Sequence, residues 1–342
     1  MQRVFNSNFR YPSRASGWSS TAPFRKMISN QGTACRGGIG ELRKSVSLTR
    51  IKASGARECD SSRIRSLQRK APAMSYKTII VNLAVDASPA PIVKVGVELA
   101  ERFGAHLIGL AAADVPPLVA TGDGMVYEGE IMQIQRTEIE KRLAELRTEF
   151  ERLVPGSIRS EWRQAVCSPT RFLSVCARAT DLIVTGEAGD NVFRAVDIGS
   201  LALGAGRPVL VTAGDVDHIL AKTVLVAWKD TREARRALAD ALPFLAKADT
   251  VVIATIGTDS DESLRDSLAD VAVFLEHHSI KVRTELIAGE ANGDRLLTFA
   301  RSIHADLIVS GAYGHSRLRE WAFGGVTRTL MEEGSINRLM SY

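Results

Sequence analysis

The chain has 342 residues, 45% of them hydrophobic and 24% charged, which is the balance of a globular protein and excludes a wholly disordered one. No apolar stretch reaches the roughly 20 residues that a membrane-spanning helix needs, so a membrane role is not expected. The net charge of +5 is unevenly placed: residues 1–73 hold 15 Lys+Arg against 3 Asp+Glu (+12), and the remainder holds 29 against 36 (−7). The basic character belongs to the amino-terminal stretch, which argues against a nucleic-acid-binding body.

Residues 1–73 are rich in Arg, Ser and Gly and show no sustained period of 3.6 or 2. Such a segment cannot bury enough apolar surface to offset its ordering entropy, and a disordered extension is expected. Three readings stay open for it: sequence upstream of a start at Met74, an organelle-targeting presequence, or a basic arm for an anionic surface.

From residue 74 onward, short β-branched runs alternate with helical patterns. The predicted order is strand 78–83, helix 91–103, strand 106–111, helix 130–153, strand 158–164, helix 170–179, strand 181–185, a short helix from Gly199, and strand 208–212. The series then repeats: strand 223–227, helix 231–246, strand 250–255, helix 261–277, strand 281–287, helix 293–302, strand 306–310, a helix from Gly324, and strand 338–341. In 231–246, Ala234, Leu238, Leu242 and Leu245 recur at spacings of four and three, a one-sided apolar stripe.

This is an internal repeat. Asp181-Leu182-Ile183-Val184-Thr185-Gly186 matches Asp306-Leu307-Ile308-Val309-Ser310-Gly311 at an offset of 125 residues, and Lys77-Thr78-Ile79-Ile80-Val81 matches Lys222-Thr223-Val224-Leu225-Val226 at 145. The difference places about 20 extra residues in the first copy, most of them in the loop chemistry of 114–129. Residues 74–214 and 219–342 are therefore expected to be two α/β domains. Alternation of strand and helix calls for parallel sheets covered on both faces, joined by right-handed crossovers. Two doubly wound five-stranded sheets of order 3-2-1-4-5 are the expected architecture.

Ligands of such sheets bind where strand order reverses, at the carboxyl ends of strands one and four. There the first copy has Gly186-x2-Gly189-x9-Gly199-Ser200, and the second has Gly311-x2-Gly314-x9-Gly324-Gly325. A glycine at a strand end lets main chain approach a ligand closely, and the helix that follows offers unpaired N–H groups to a phosphate. The competing reading is that the glycines only permit sharp turns.

The G-x2-G-x9-G-[S/T] pattern after an apolar strand, together with the two Lys-Thr strand openings, resembles the universal stress protein family over residues 74–342. The resemblance implies a role in stress adaptation, adenine nucleotide bound in some members, and pairing of domains through their last strands, here within one chain, with homodimerisation also open. It implies ATP, with or without Mg2+, as the ligand, and phosphate-contacting roles for Gly186, Gly189, Gly199 and Ser200. The family's aspartate after strand one would be Asp86, although registering the copies sets Ala84 opposite Lys229 and so demands a bulge. In the second copy Gly311, Gly314, Gly324 and Gly325 take the loop positions. Gly325 replaces the Ser/Thr there, with Thr327 as a substitute hydroxyl. Its loop carries His315, Arg317 and Arg319 against Glu320, whereas the first loop holds Asp190 and Asp197 with Arg194.

No G-x4-G-K-[S/T], H-E-x-x-H or G-x-S-x-G motif occurs, so no catalytic set and no metal site are expected. The four cysteines, Cys35, Cys59, Cys167 and Cys176, lack metal-ligand spacing and fit reduced thiols in the cytoplasm. Trp228 and the histidines read as packing or surface residues. Arg338, in a last strand expected at a sheet edge, stands where an apolar residue would pair more readily. The leading expectation is a regulatory nucleotide-binding protein without efficient turnover. A nucleotide-free interaction scaffold and a slow nucleotide hydrolase are the alternatives.

Overall fold

The computed structural model describes residues 75–117, 128–187, 189, 191, 193–214, 216–258, 260–290, 292–312, 325–332 and 334–342. The extension at 1–73 and residues 118–127 of the first long loop lie outside them. All of the described residues belong to one compact unit.

The first half runs β1 (Thr78–Asn82), α1 (Ala90–Phe103), β2 (His106–Ala113), α2 (Glu128–Leu153), β3 (Ser160–Val166), α3 (Pro169–Cys176), β4 (Leu182–Thr185), α4 (Ile198–Gly204) and β5 (Val209–Val211). The second runs β6 (Thr223–Ala227), α5 (Arg232–Leu245), β7 (Thr250–Gly257), α6 (Glu262–His277), β8 (Val282–Ala288), α7 (Gly293–Ser302), β9 (Leu307–Gly311), α8 (Gly325–Glu332) and β10 (Asn337–Ser341).

Local chemistry accounts for these boundaries. In α1 the buried positions Val93, Gly96, Leu99, Ala100 and Phe103 form one stripe, and Gly104 ends the helix in the left-handed region at φ 64°. Thr231 begins α5 by accepting the Ala234 N–H on its side chain, and Asp261 does the same for α6 through Leu264. Successive strand residues face opposite sides: Ile79 and Val81 join one core while Ile80 joins another.

All strands form one ten-stranded sheet, ordered β3-β2-β1-β4-β5-β10-β9-β6-β7-β8. Each half thus has the order 3-2-1-4-5 expected from the sequence, parallel throughout. The halves join antiparallel, with Leu210 opposite Leu339 between β5 and β10. On one face a continuous core runs across both halves, from Leu99 and Leu143 to Leu242 and Leu275. On the other face each half has its own core, built around α3 and α4 or around α7 and α8.

The expectation that Arg338 lies in an edge strand is corrected here. β10 is interior, with Arg338 in register with Val211 of β5 on one side and Ile308 of β9 on the other. Arg338 is only 1% exposed. The strand tolerates it because the guanidinium finds a carboxylate, Glu187, from the other half. Asn337 adds a clamp at the seam: its Oδ1 accepts the Ala213 N–H at 3.0 Å, and its Nδ2 donates to the Asp306 carbonyl at 3.1 Å.

Candidate functional site

Strand order reverses between β1 and β4 in the first half and between β6 and β9 in the second. In the first half the two strand ends are tied by a buried hydrogen bond from Asn82 Nδ2 to Thr185 Oγ1 at 3.1 Å. Beyond them lie the turn after β1, which carries Asp86, and the chain after β4, which carries Gly186.

Asp86 reaches this edge through a turn. β1 pairs with β2 in unbroken register, and the chain then folds back with Ala87 N–H on the Ala84 carbonyl. Arg142 of α2 braces that turn, donating Nε to the Val85 carbonyl at 2.9 Å and Nη2 to the Ala87 carbonyl at 3.2 Å. The half-exposed Asp86 carboxylate pairs with Arg194 Nη1 at 2.9 Å. Val85, Asp86, Ile139, Arg142, Glu145 and Arg194 border a hollow of about 350 Å3.

The loop after β4 crosses the ends of the central strands. The Phe193 carbonyl accepts the Asp114 N–H, just past β2, at 2.8 Å, and Arg194 reaches Asp86. At the start of α4, the Asp197 side chain accepts the Ser200 N–H. A carboxylate of the protein therefore sits where an anion would meet the helix end. Gly199 is buried in the first turn of α4, and Ser200 is exposed beside it.

The two halves treat their glycines differently. Among the described residues, a Cβ built on Gly186 would meet nothing within 4 Å, and one on Gly189 would meet only the Ala195 Cβ, at 3.2 Å. A Cβ on Gly311 would lie 2.6 Å from the Ala234 nitrogen and 2.7 Å from the Glu233 carbonyl carbon. At Gly311 the missing side chain is thus used by the first turn of α5, whereas at Gly186 it leaves space. Gly325 opens α8. Gly314, Gly324 and the side chain of Thr327 lie outside the described residues, as do Asp190, His315, Arg317, Arg319 and Glu320.

The structure brings Asp86, Gly186, Gly189, Gly199 and Ser200 to one sheet edge. Lys229 and Asp230 stand after β6, with Asp230 paired to Arg235. Trp228 is buried and its indole N–H donates to Ser267 Oγ at 2.8 Å, which makes it a packing residue. Cys167 is half-buried, and burial is the main cause holding its thiol pKa above the usual value. Sequence reasoning missed Arg142, which sits 56 residues after Asp86 on helix α2. It also missed the Asp197 cap, although an Asp directly before a helix start is a legible signal.

Among the described residues, no group of three or more His, Cys, Asp and Glu could hold a metal ion. Among them, too, no helix is long and apolar enough to cross a membrane.

No protein-family model matches the chain. The universal stress protein Slr1230 of Synechocystis sp. (strain ATCC 27184 / PCC 6803 / Kazusa) is 26% identical over 266 residues, covering 70% of this chain and 90% of that protein. The crystal structure of a universal stress protein from Archaeoglobus fulgidus DSM 4304 has the same fold, with a TM-score of 0.53 at 16% identity over 77% of this chain and 97% of that one. A universal stress protein solved in complex with cAMP matches 35% of this chain and 97% of its own, at 22% identity and a TM-score of 0.27. The chain is thus similar in sequence to one universal stress protein over most of both lengths, and it shares the fold of a solved universal stress protein.

Proposed function

We propose that the protein is a cytoplasmic stress-response regulator that binds an adenine nucleotide, ATP with or without Mg2+, in repeat one and does not turn it over efficiently. The observation that carries this reading is the open space at Gly186 among the described residues, at the end of the strand paired with β1, set against the packed Gly311 of repeat two. Main chain bared at a strand end, next to a helix start, is the arrangement that receives phosphate oxygens. Gly186, Gly189, Gly199 and Ser200 would hold the phosphates, and Asp86 the ribose and adenine side. A phosphate at α4 displaces the Asp197 carboxylate from the Ser200 N–H, and a ribose at Asp86 displaces Arg194, which is then free to meet the phosphates. Repeat two completes the sheet and lends support.

The second reading, a nucleotide-free scaffold of the same fold, is favoured by the same contacts read as permanent: Asp197 on Ser200 and Arg194 on Asp86. Calorimetric titration of the full chain with ATP separates the two. Heat consistent with micromolar binding at one site, lost in Gly186→Val, is the expected result. No heat from the unaltered protein at concentrations suited to micromolar affinity leaves the scaffold reading in its place.

A further inference from the structure

The ion pair between Glu187 and Arg338 joins the glycine loop of repeat one to the last strand of repeat two. Glu187 follows Gly186 directly. Its Oε1 lies 3.6 Å from Arg338 Nη2, with the Arg338 side chain 2% exposed and that of Glu187 41%. A guanidinium buried that deeply carries a desolvation cost that a facing carboxylate offsets.

A second observation shows that the surroundings are shaped to this contact. A Cβ on Gly334, in the turn before β10, would lie 3.0 Å from Glu187 Oε1 and 3.3 Å from Oε2. What its missing side chain provides is room for the Glu187 carboxylate.

The pair is also one-sided. Ile183 is in register with Val209 as Ile308 is with Arg338, so Val209 is the counterpart of Arg338 in repeat one. The counterpart of Glu187, by the 125-residue offset, is Ala312, which is buried against Met340 and Ala202. Two pseudo-equivalent places thus differ by a complete pair of opposite charges: Glu187 and Arg338 at one, Ala312 and Val209 at the other.

We propose that Arg338 of repeat two is a positioning residue for the glycine loop of repeat one: through Glu187 it holds the chain leaving β4 at Gly186 in place across the seam. The loop of repeat one is then held by a charge from the other repeat, and Ala312 offers no carboxylate for such a pair at the equivalent place. This deepens the reading of repeat one as the nucleotide site, but the contact is between two side chains of the protein and can be tested without a ligand.

The test is hydrogen–deuterium exchange of the full chain, free of nucleotide, with Glu187→Ala, Arg338→Met, Arg338→Lys and the Glu187→Ala/Arg338→Met double variant. Exchange over residues 186–197 is expected to quicken about tenfold in each of the first two variants. The double variant should be no faster than either, because both remove one contact, while peptides of β5 and β10 stay protected. Arg338→Lys, which keeps the charge, should stay within about twofold of the parent. Unchanged loop exchange in Glu187→Ala overturns the proposal, as do multiplying effects in the double variant or a lysine variant as fast as the methionine one. Should Arg338→Met fail to fold, Glu187→Ala and Arg338→Lys decide the matter alone, since Glu187 is partly exposed. Absence of ATP binding in calorimetry would remove the nucleotide reading and leave this result standing.

Discussion

Tyr76 donates its hydroxyl to the main-chain carbonyl of Asp240 at 2.6 Å, tying the segment that enters β1 of one half to helix α5 of the other. Its ring packs edge-on to Phe103, centroids 5.0 Å apart, and against Phe244 at 5.6 Å. Lys247 Nζ stands 4.7 Å from the centre of the Phe103 ring. The seam between the repeats therefore has an aromatic lock on the α1/α5 face besides the β5·β10 ladder. Burial, with help from the carboxylates of Asp240 and Asp181, raises the Tyr76 pKa well above 10.0. The folded state thus holds the phenol proton more tightly than the unfolded chain does. The corresponding stability is fully present below pH 10 and is lost as pH rises beyond it. Tyr76→Phe should cost about 1–2 kcal/mol in urea denaturation at pH 8, through the carbonyl left without its donor. Above pH 10 the gap to the parent should narrow. A gap independent of pH would show that the hydroxyl is not held as described.

Gly186 and Gly311 occupy matching places in the two repeats, yet alanine should be tolerated at only one. At Gly311 a methyl group would press on the backbone of Glu233 and Ala234, and backbone at the start of a packed helix cannot give way cheaply. Gly311→Ala should destabilise by roughly 1–3 kcal/mol, the usual cost of overpacking. At Gly186 the methyl enters open space, and Gly186→Ala should change stability by less than about 0.5 kcal/mol. Chemical denaturation of both variants checks the pair. Equal costs would mean that the two glycines serve the same purpose.

Asp181 and Asp306 do the same work 125 residues apart. Asp181 Oδ2 accepts the main-chain N–H groups of Lys77 and Thr78 at 2.7 and 3.0 Å, and Asp306 Oδ2 accepts those of Lys222 and Thr223 at 3.0 and 3.3 Å. Each pins the entry of its repeat's first strand. At Asp306 burial outweighs these hydrogen bonds and raises the carboxyl pKa above 3.8. The stability tied to that proton is complete below pH 3.8 and lost as pH climbs through the raised folded value. Asp306→Asn keeps an acceptor oxygen but cannot ionise. Its stability relative to the parent should therefore improve between pH 4 and pH 7. Denaturation at the two pH values reads the trend, and a parent that gains on the variant instead would reverse the assignment.

The strands and helices were legible because each is written in local chemistry: apolar runs of strand length, one-sided stripes such as that of Ala234, Leu238 and Leu242, and capping residues at helix starts. The reversal of strand order followed from alternation alone. What stayed hidden depends on residues distant in sequence. Nothing near Gly311 announces that α5 will press against it, so the motif looked alike in both repeats. Arg338 read as an intrusion in an apolar edge strand, because neither the interior place of β10 nor the carboxylate of Glu187 can be seen from its neighbours. Asp86 could be matched to a position but not to Arg194 or Arg142, since those contacts exist only once the loop after β4 and the long α2 meet the turn after β1.

Asp197 gives the nucleotide reading its most direct internal competitor. Its carboxylate accepts the Ser200 N–H at the start of α4, so it both stabilises that helix and repels any anion drawn to the same end. Asparagine separates the two effects. It is as good a helix cap as aspartate, and its side-chain oxygen can still accept from Ser200, but it carries no charge. Asp197→Asn should therefore leave thermal stability nearly unchanged and tighten ATP binding severalfold, up to about tenfold, with the gain shrinking as salt is raised. Asp197→Ala, which loses the cap as well, should pair any gain in affinity with a loss of stability. Calorimetry at low and high salt reads the affinities and thermal melts read the helix. If Asp197→Asn binds ATP no better than the parent at low salt, the α4 end is not where the phosphates sit, and the Asp197–Ser200 contact is simply part of the fold.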